Sequence, residues 1–517
     1  MIVKGISKKG AYYDSVTLMI VSKEINKIDG ILDSTVVMGT MENKAIMQSA
    51  GLWTPEFNAL SDTDLLICVK ADNSEVADNA IKSVDGILKE LRSKKDEGVN
   101  SKTAHSFEQA ISQLPNANLS LISVAGKYAA REAKKALDNG LHVMLFSDNV
   151  SIADELELKK LAKEKGLLVM GSDCGTAIIN GVPLAFANVV NQGNIGIVAA
   201  SGTGLQEISC IISNMGAGIS QAIGTGGRDV KQEIGGIMFI ESLKALASDS
   251  KTECIVLVSK PPHPDVLKKI SEEIKSISKP VVGIFIGGNP EILSNVGAIP
   301  ASTLEEAAII AVAKAQGKDV QAALQQINSR KLEIDNKAKE LSKIAKGKYL
   351  RGLFSGGTLC DEAQLVMKDM IGNVYSNSPL SPDFKLKDLW VSNENTILDM
   401  GEDEFTSGRP HPMIDFSLRK KRIESEAADP NVAVILLDVV LGYGSHMDPA
   451  SELVPSIQKA KEISPKLIII CSVTGTIGDP QKRELVIEKL KNAGVEVLPS
   501  NAAAAQLAGR IVSIINH

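Results

Sequence analysis

Two short stretches of this chain carry residue types suited to anion chemistry, and they resemble one another. NIGIVAASGTGLQEISCII and LRGLFSGGTLCDEAQLVM each run from an apolar strand through small residues into Gly-Thr, with a glutamate four residues after the threonine. A strand that passes through glycine into a helix leaves the first-turn N–H groups without intrahelical partners, beside the positive end of the helix dipole. A phosphate or carboxylate fits such a place. Ser201, Gly202 and Thr203 in the first copy, and Ser355, Gly356, Gly357 and Thr358 in the second, are therefore candidate anion-binding residues. The ordinary alternative is that the hydroxyls only cap their helices. Glu207 and Glu362 fall within the first two helical turns, where the dipole stabilises a carboxylate that could orient a group across a domain interface.

Arg228 in GTGGRDV and Arg409 in SGRPHP offer guanidinium forks for a carboxylate or phosphoryl group. His411 in GRPHPMID and His446 in GYGSHMDP stand in loops after strands, beside Arg409 and Asp448, where an imidazole can move a proton. For each of these, a plain surface residue is the alternative reading. There is no HExxH, no Walker lysine motif and no Ser-His-Asp order. The six cysteines lie far apart, in no CxxC pair, and mostly inside apolar strands. That spacing speaks against a zinc site or a disulfide framework and for a reducing compartment, so no metal is expected.

The elements that must position these residues follow from periodicity. At 517 residues the chain needs several cores, and its composition, 44% hydrophobic with 42 glycines and 3% aromatics, is that of an α/β protein. A net charge of -6, well mixed, offers no basic stripe for nucleic acid. With no signal-like start and no apolar run near the ~20 residues of a membrane span, a cytoplasmic protein without membrane partner is expected. Residues 1–95 read as a small ferredoxin-like βαββαβ module, followed by a charged linker. Residues 106–190 alternate short apolar strands with helices that end at glycine, as parallel sheets require. Residues 191–320 and 348–517 repeat that alternation and share the two motifs above, which marks a duplicated domain; the polar segment between them reads as a helix or linker.

SGTGLQE, GGRDV and NVGAI in this order resemble the succinyl-CoA synthetase-like proteins, the nucleoside-diphosphate-forming acyl-CoA synthetases, and LFSGGTLCDEA with the small N-terminal module extends the resemblance to the FdrA family over essentially the whole chain. The resemblance implies a Rossmann-like CoA-binding-type domain at 106–190, with Lys127 and Tyr128 in the loop that touches CoA, and two flavodoxin-like ligase domains after it. It implies CoA as the cofactor and puts Glu207 beside a phosphohistidine. That histidine is absent: the aligned stretch is Ser294, Asn295, Val296, Gly297, Ala298, Ile299, and the carboxamide of Asn295 is not a nucleophile. The ATP-grasp domain and the glycine fingerprint of the first Rossmann strand are missing as well.

What remains is a pocket for a ready-made acyl phosphate and its acceptor. FdrA-type proteins are associated with oxamate carbamoyltransferase of allantoin degradation, acting with further subunits. The resemblance thus implies carbamoyl phosphate as donor, the carboxylate oxamate as acceptor, Arg228 or Arg409 as carboxylate clamp, and His411 or His446 as proton carrier. Two alternatives stay open: an acyl-CoA ligase subunit served by a separate ATP-grasp partner, and a non-catalytic scaffold subunit.

Overall fold

The structure, a computed structural model, describes all 517 residues except 11–12, 14, 41–42, 45–46, 49, 62, 97–103, 105 and 407–409. The chain divides into two compact units, 1–115 with 402–411, and 116–401 with 412–517. The first break thus falls later than the linker expected after residue 95, most of which lies outside the described residues.

In the first unit a three-stranded antiparallel sheet has the order Ile2–Lys8, Leu65–Ala71, Ile31–Met38. The central strand LLICVKA is apolar except for the partly buried Lys70, because both of its faces are covered. Leu65, Ile67 and Val69 face the helices Ser15–Ile25 and Ser74–Asp96, whereas Leu66 and Cys68 pack with Met47, Leu52 and Phe57. Among the described residues the module is βαββα; the last strand of the expected βαββαβ order is not among them.

The second unit is α/β, as expected, and is built on three sheets. Leu119–Ile122, His142–Leu145 and Val169–Met170 form a small parallel sheet, flanked by helices Gly126–Asp138 and Ile152–Glu164. A seven-stranded sheet follows, which we call the first lobe, with the order 299–300, 281–285, 254–259, 192–199, 219–224, 176–179, 182–185. Its first five strands are parallel, and the hairpin Thr176–Ala185 closes one edge antiparallel. The second lobe is a five-stranded parallel sheet with the order Thr396–Asp399, Tyr349–Phe354, Val432–Val440, Ile468–Thr474, Glu496–Leu498. Its central strand VAVILLDVV is buried along its whole length, as sheets covered on both faces demand.

The polar stretch between the lobes is one helix, Val320–Ser342. A single hydrophobic core runs through both lobes, joining Ile195, Leu205, Ile208 and Ala308 to Leu359, Leu436, Ala504 and Ile511. The duplicated halves therefore meet through four helices, Gly202–Asn214 and Leu304–Ala315 from the first lobe and Gly357–Ile371 and Asn501–Asn516 from the second.

Candidate functional site

Each of the two motif helices starts at the C-terminal end of a parallel strand, the edge where open α/β sheets bind ligands. Gln192–Ala199 feeds Gly202–Asn214, and Tyr349–Phe354 feeds Gly357–Ile371. The two N-termini abut: the Ser201 and Thr358 hydroxyls are 2.5 Å apart. Close packing here depends on glycine. A Cβ on Gly356 would stand 2.9 Å from Thr203 Cγ2, and one on Gly204 would stand 2.6 Å from Ser201 Oγ and 3.1 Å from Thr358 Cγ2. Ser201 caps its helix by accepting from Gly204 N at 3.1 Å, while Gly202, the first helical residue, is exposed and Thr203 and Gly204 are buried.

The second N-terminus is furnished differently. Asp438, on the central strand, accepts from Ser355 N at 2.8 Å, Ser355 Oγ at 2.9 Å and Gly356 N at 2.8 Å, and it pairs with the buried Arg419 at 3.0 Å. Asp399 lies against Gly357, where a Cβ would meet its Oδ2 at 2.4 Å. This corrects the expectation for Ser355 and Gly356: their donors are committed to a protein carboxylate, which fills the role assigned to an external anion. Lys260, at the end of strand Cys254–Ser259, reaches across to Asp361 in the first turns of the second helix at 2.8 Å. Burial pushes the Asp361 carboxyl up, and Lys260 opposes that shift. Neither residue stood out in the sequence, because an ion pair between positions a hundred residues apart leaves no local pattern.

Glu207 and Glu362 are buried below this junction, with both oxygens of each engaged. Burial raises the Glu207 carboxyl above its usual range and lifts that of Glu362 to about 7. Arg228 is not a free clamp. Its guanidinium pairs with the buried Glu155 at 2.8 Å and donates to Val150 O at 2.9 Å and to Ser172 Oγ, tying the small sheet to the first lobe. The same seam holds Lys159, fully buried between Glu155 and Asp229 at 2.8 Å each.

His446 is likewise occupied: Nδ1 accepts from Asp448 N at 3.1 Å, beside the cap of helix Pro449–Ile463, and the ring stacks edge-on against Phe416. His411 belongs to the other compact unit, and Arg409 lies outside the described residues. Asn295 is exposed at the C-terminus of the short helix Pro290–Ser294. Lys127 and Tyr128 begin helix Gly126–Asp138 on the surface, the lysine 4.9 Å over the tyrosine ring. All six cysteines are buried and free, and no described helix is long and apolar enough to cross a membrane.

A CoA-ligase model matches residues 353–511, a CoA-binding-domain model residues 190–287, and a model described as AllF, heavy metal-associated domain, residues 1–105. YahF of Escherichia coli K12, uncharacterised, is 44% identical over 517 residues, covering 99% of each chain. The chain belongs to the same FdrA-like family, within the succinyl-CoA ligase-like acyl-CoA synthetases. A succinate–CoA ligase alpha subunit of Archaeoglobus fulgidus is 32% identical over 176 residues, covering 33% of this chain and 60% of the relative. A malate–CoA ligase alpha subunit of Methylorubrum extorquens is 27% identical over 204 residues, 37% of this chain and 67% of the relative.

Within this FdrA-like chain the CoA-binding match covers Ser201 to Glu207 and Arg228, and not Lys127 or Tyr128. The heavy-metal label does not fit the side chains beneath it. Residues 1–105 contain one cysteine and one histidine, Cys68 and His105, and the thiol of Cys68 is fully buried and pushed up to about 12 by that burial. A soft-metal site needs thiolates that can reach the ion. Among the described residues no group of acidic, histidine and cysteine side chains could hold one.

Proposed function

We propose that the junction of the two helix N-termini binds an acyl phosphate, with carbamoyl phosphate as donor and a small carboxylate such as oxamate as acceptor, in an oxamate carbamoyltransferase that this chain forms with further subunits. The observation that carries this reading is the 2.5 Å contact between Ser201 and Thr358, which sets two hydroxyls at the helix start where Gly202 is exposed. In the transfer, the acceptor nitrogen forms a bond to the carbamoyl carbon, the bond from that carbon to the phosphate oxygen breaks, and phosphate leaves with the electron pair. The nitrogen's proton passes to solvent or to the departing phosphate. Donors fixed at the helix start favour the charge growing on that leaving group. Asn295 supports a donor that arrives already phosphorylated, since a carboxamide cannot relay a phosphoryl group. CoA is the cofactor suggested by the matched segment 190–287.

A thermal-shift panel of carbamoyl phosphate, inorganic phosphate, oxamate, CoA and ATP tests the reading. A ligand at a hundred times its dissociation constant adds about 2.7 kcal/mol. Stabilisation by carbamoyl phosphate, lost when Thr203 and Thr358 are both changed to valine, is the expected result; binding untouched by that pair of changes counts heavily against it. The ligase relatives favour a second reading, a subunit charged by a separate ATP-grasp partner. Acid-labile phosphate on the chain after incubation with labelled ATP and such a partner would select it. Stabilisation by none of the five compounds would leave the scaffold.

A further inference from the structure

The two buried glutamates make a crossed pair. Glu207, in the motif helix of the first lobe, accepts from Asn501 N at 3.0 Å, the first residue of the last helix of the second lobe. Glu362, in the motif helix of the second lobe, accepts from Leu304 N at 2.7 Å, the first residue of the last helix of the first lobe. Each carboxylate thus satisfies a first-turn N–H of a helix in the opposite half, a donor that no intrahelical bond can serve. The second oxygens are engaged as well: Glu207 takes Thr474 Oγ1 from the opposite lobe, and Glu362 takes Asn501 Nδ2 of its own lobe at 2.8 Å. A third carboxylate, Glu305, accepts from Ser500 Oγ at 2.8 Å and pairs with Arg330.

Three acids gathered at one interface are an expensive way to fill space, since apolar side chains of similar volume pack there at no electrostatic cost. Their geometry shows what they add. Glu207 and Glu362 sit four residues beyond Thr203 and Thr358, about 6 Å along each helix axis. The crossed caps therefore fix the two motif helices in rotation and in height just below the place where Ser201 meets Thr358.

We propose that Glu207 and Glu362 are positioning residues for the anion junction: by capping the opposite lobe's last helix, each holds its own helix in the register that sets Thr358 of the second lobe beside the first-lobe N-terminus at Gly202. This rests on the reading of that junction as a phosphate site. A displacement of about 1 Å suffices to spoil such a constellation, so a packed but uncrossed interface would fold and yet bind poorly.

The test compares the full chain with Glu362→Met, which keeps the volume and has no acceptor, and with Glu362→Gln, whose Oε1 still accepts from Leu304 N. Glu207→Met and Glu207→Gln serve as an independent pair if a Glu362 variant does not fold. Hydrogen exchange is followed at 202–206, 304–308, 357–361 and 501–505, and inorganic phosphate affinity is measured by calorimetry. The expected result for Glu362→Met is faster exchange at 304–308 that extends to 202–206, with at least a tenfold loss of phosphate affinity. Glu362→Gln should restore both to within about threefold. Exchange that rises only at 304–308, with unchanged affinity, overturns the positioning role. Should the unaltered chain bind no phosphate while exchange still spreads to 202–206, the acyl phosphate reading fails and the register-fixing role of the crossed caps stands.

Discussion

The two lobes are twins in backbone and not in electrostatics. In the first lobe the end of the motif strand, Ala199, lies between Gly224 and Val258. In the second the matching Phe354 lies next to Asp399 on one side, and on the other next to the strand where Asp438 follows Leu437, the partner of Leu353. At the same two registers one lobe has no charge and the other has two carboxylates. The second helix start is thereby neutralised from within, through Ser355, Gly356 and the wall against Gly357. At the first helix start no protein carboxylate takes that place among the contacts described above, and on the proposed reading the repeated Gly-Thr motif builds one binding end and one supporting end, with Thr358 set across the junction beside the first.

The largest effect that tests this contrast is Asp438→Ala. It strands the buried Arg419 and three donors at the turn, and a buried pair broken on one side costs about 3–5 kcal/mol. Chemical denaturation measures it; a loss below about 1 kcal/mol would mean that the turn is not held by this carboxylate. Next in size is the pair Gly357→Ala and Gly202→Ala. The new methyl at 357 meets Asp399 Oδ2 at 2.4 Å and should cost about 1–3 kcal/mol. At 202 its nearest neighbour is Thr176 Oγ1 at 3.4 Å, and alanine should be neutral or slightly stabilising there. Equal costs at the two positions would erase the asymmetry.

A pH series sharpens the comparison at the level of the crossed caps. The Glu362 carboxyl, raised from 4.5 to about 7 chiefly by burial, binds its proton more tightly in the folded chain than in the unfolded one. Its contribution to stability is therefore complete below about pH 4.5, declines as the pH rises, and is gone above about 7. Glu362→Gln should flatten the decline between those limits. Glu207→Gln should act in the same direction, since burial also raises that carboxyl. Apparent melting temperatures from pH 5 to 8 check both, and a slope unchanged by either variant would remove the caps from the titration.

Local patterns in the sequence carried the strand-to-helix turns, the α/β class and the equivalent places of Glu207 and Glu362 in their motif helices, because each turn and the helix after it are contiguous in the chain. The partners that give those residues their roles come from far along the chain. Asp438 is 83 positions from Ser355, and Asn501 is 294 from Glu207. A clue existed: a lone aspartate in the middle of VAVILLDVV, a strand otherwise apolar, has to answer some buried donor. Arg228 and His446 misled for the opposite reason. Both sit in glycine-rich loops that look open in sequence, and both are tied down, the arginine by Glu155 and Ser172 from other segments, the histidine by Asp448 two residues on and by Phe416 from another segment.

The smallest expected effect is also the most discriminating for the site. Ser201→Gly turns the cap of the first lobe into that of the second, where Gly356 caps without a side chain. Glycine is a tolerated N-cap, so the stability loss should be only about a few tenths of a kcal/mol. Ligand binding should suffer more. If the Ser201 hydroxyl contacts the phosphate together with Thr358, its removal forfeits about 0.5–1.5 kcal/mol, roughly a two- to twelvefold weaker affinity for carbamoyl phosphate. If the hydroxyl merely caps the helix, stability falls by those few tenths and the affinity stays unchanged, because the cap is the same in the free and the bound chain. Measuring both on one variant therefore separates a residue that holds the ligand from one that only ends a helix, the very alternative that the Ser-Gly-Thr motif leaves open on sequence alone.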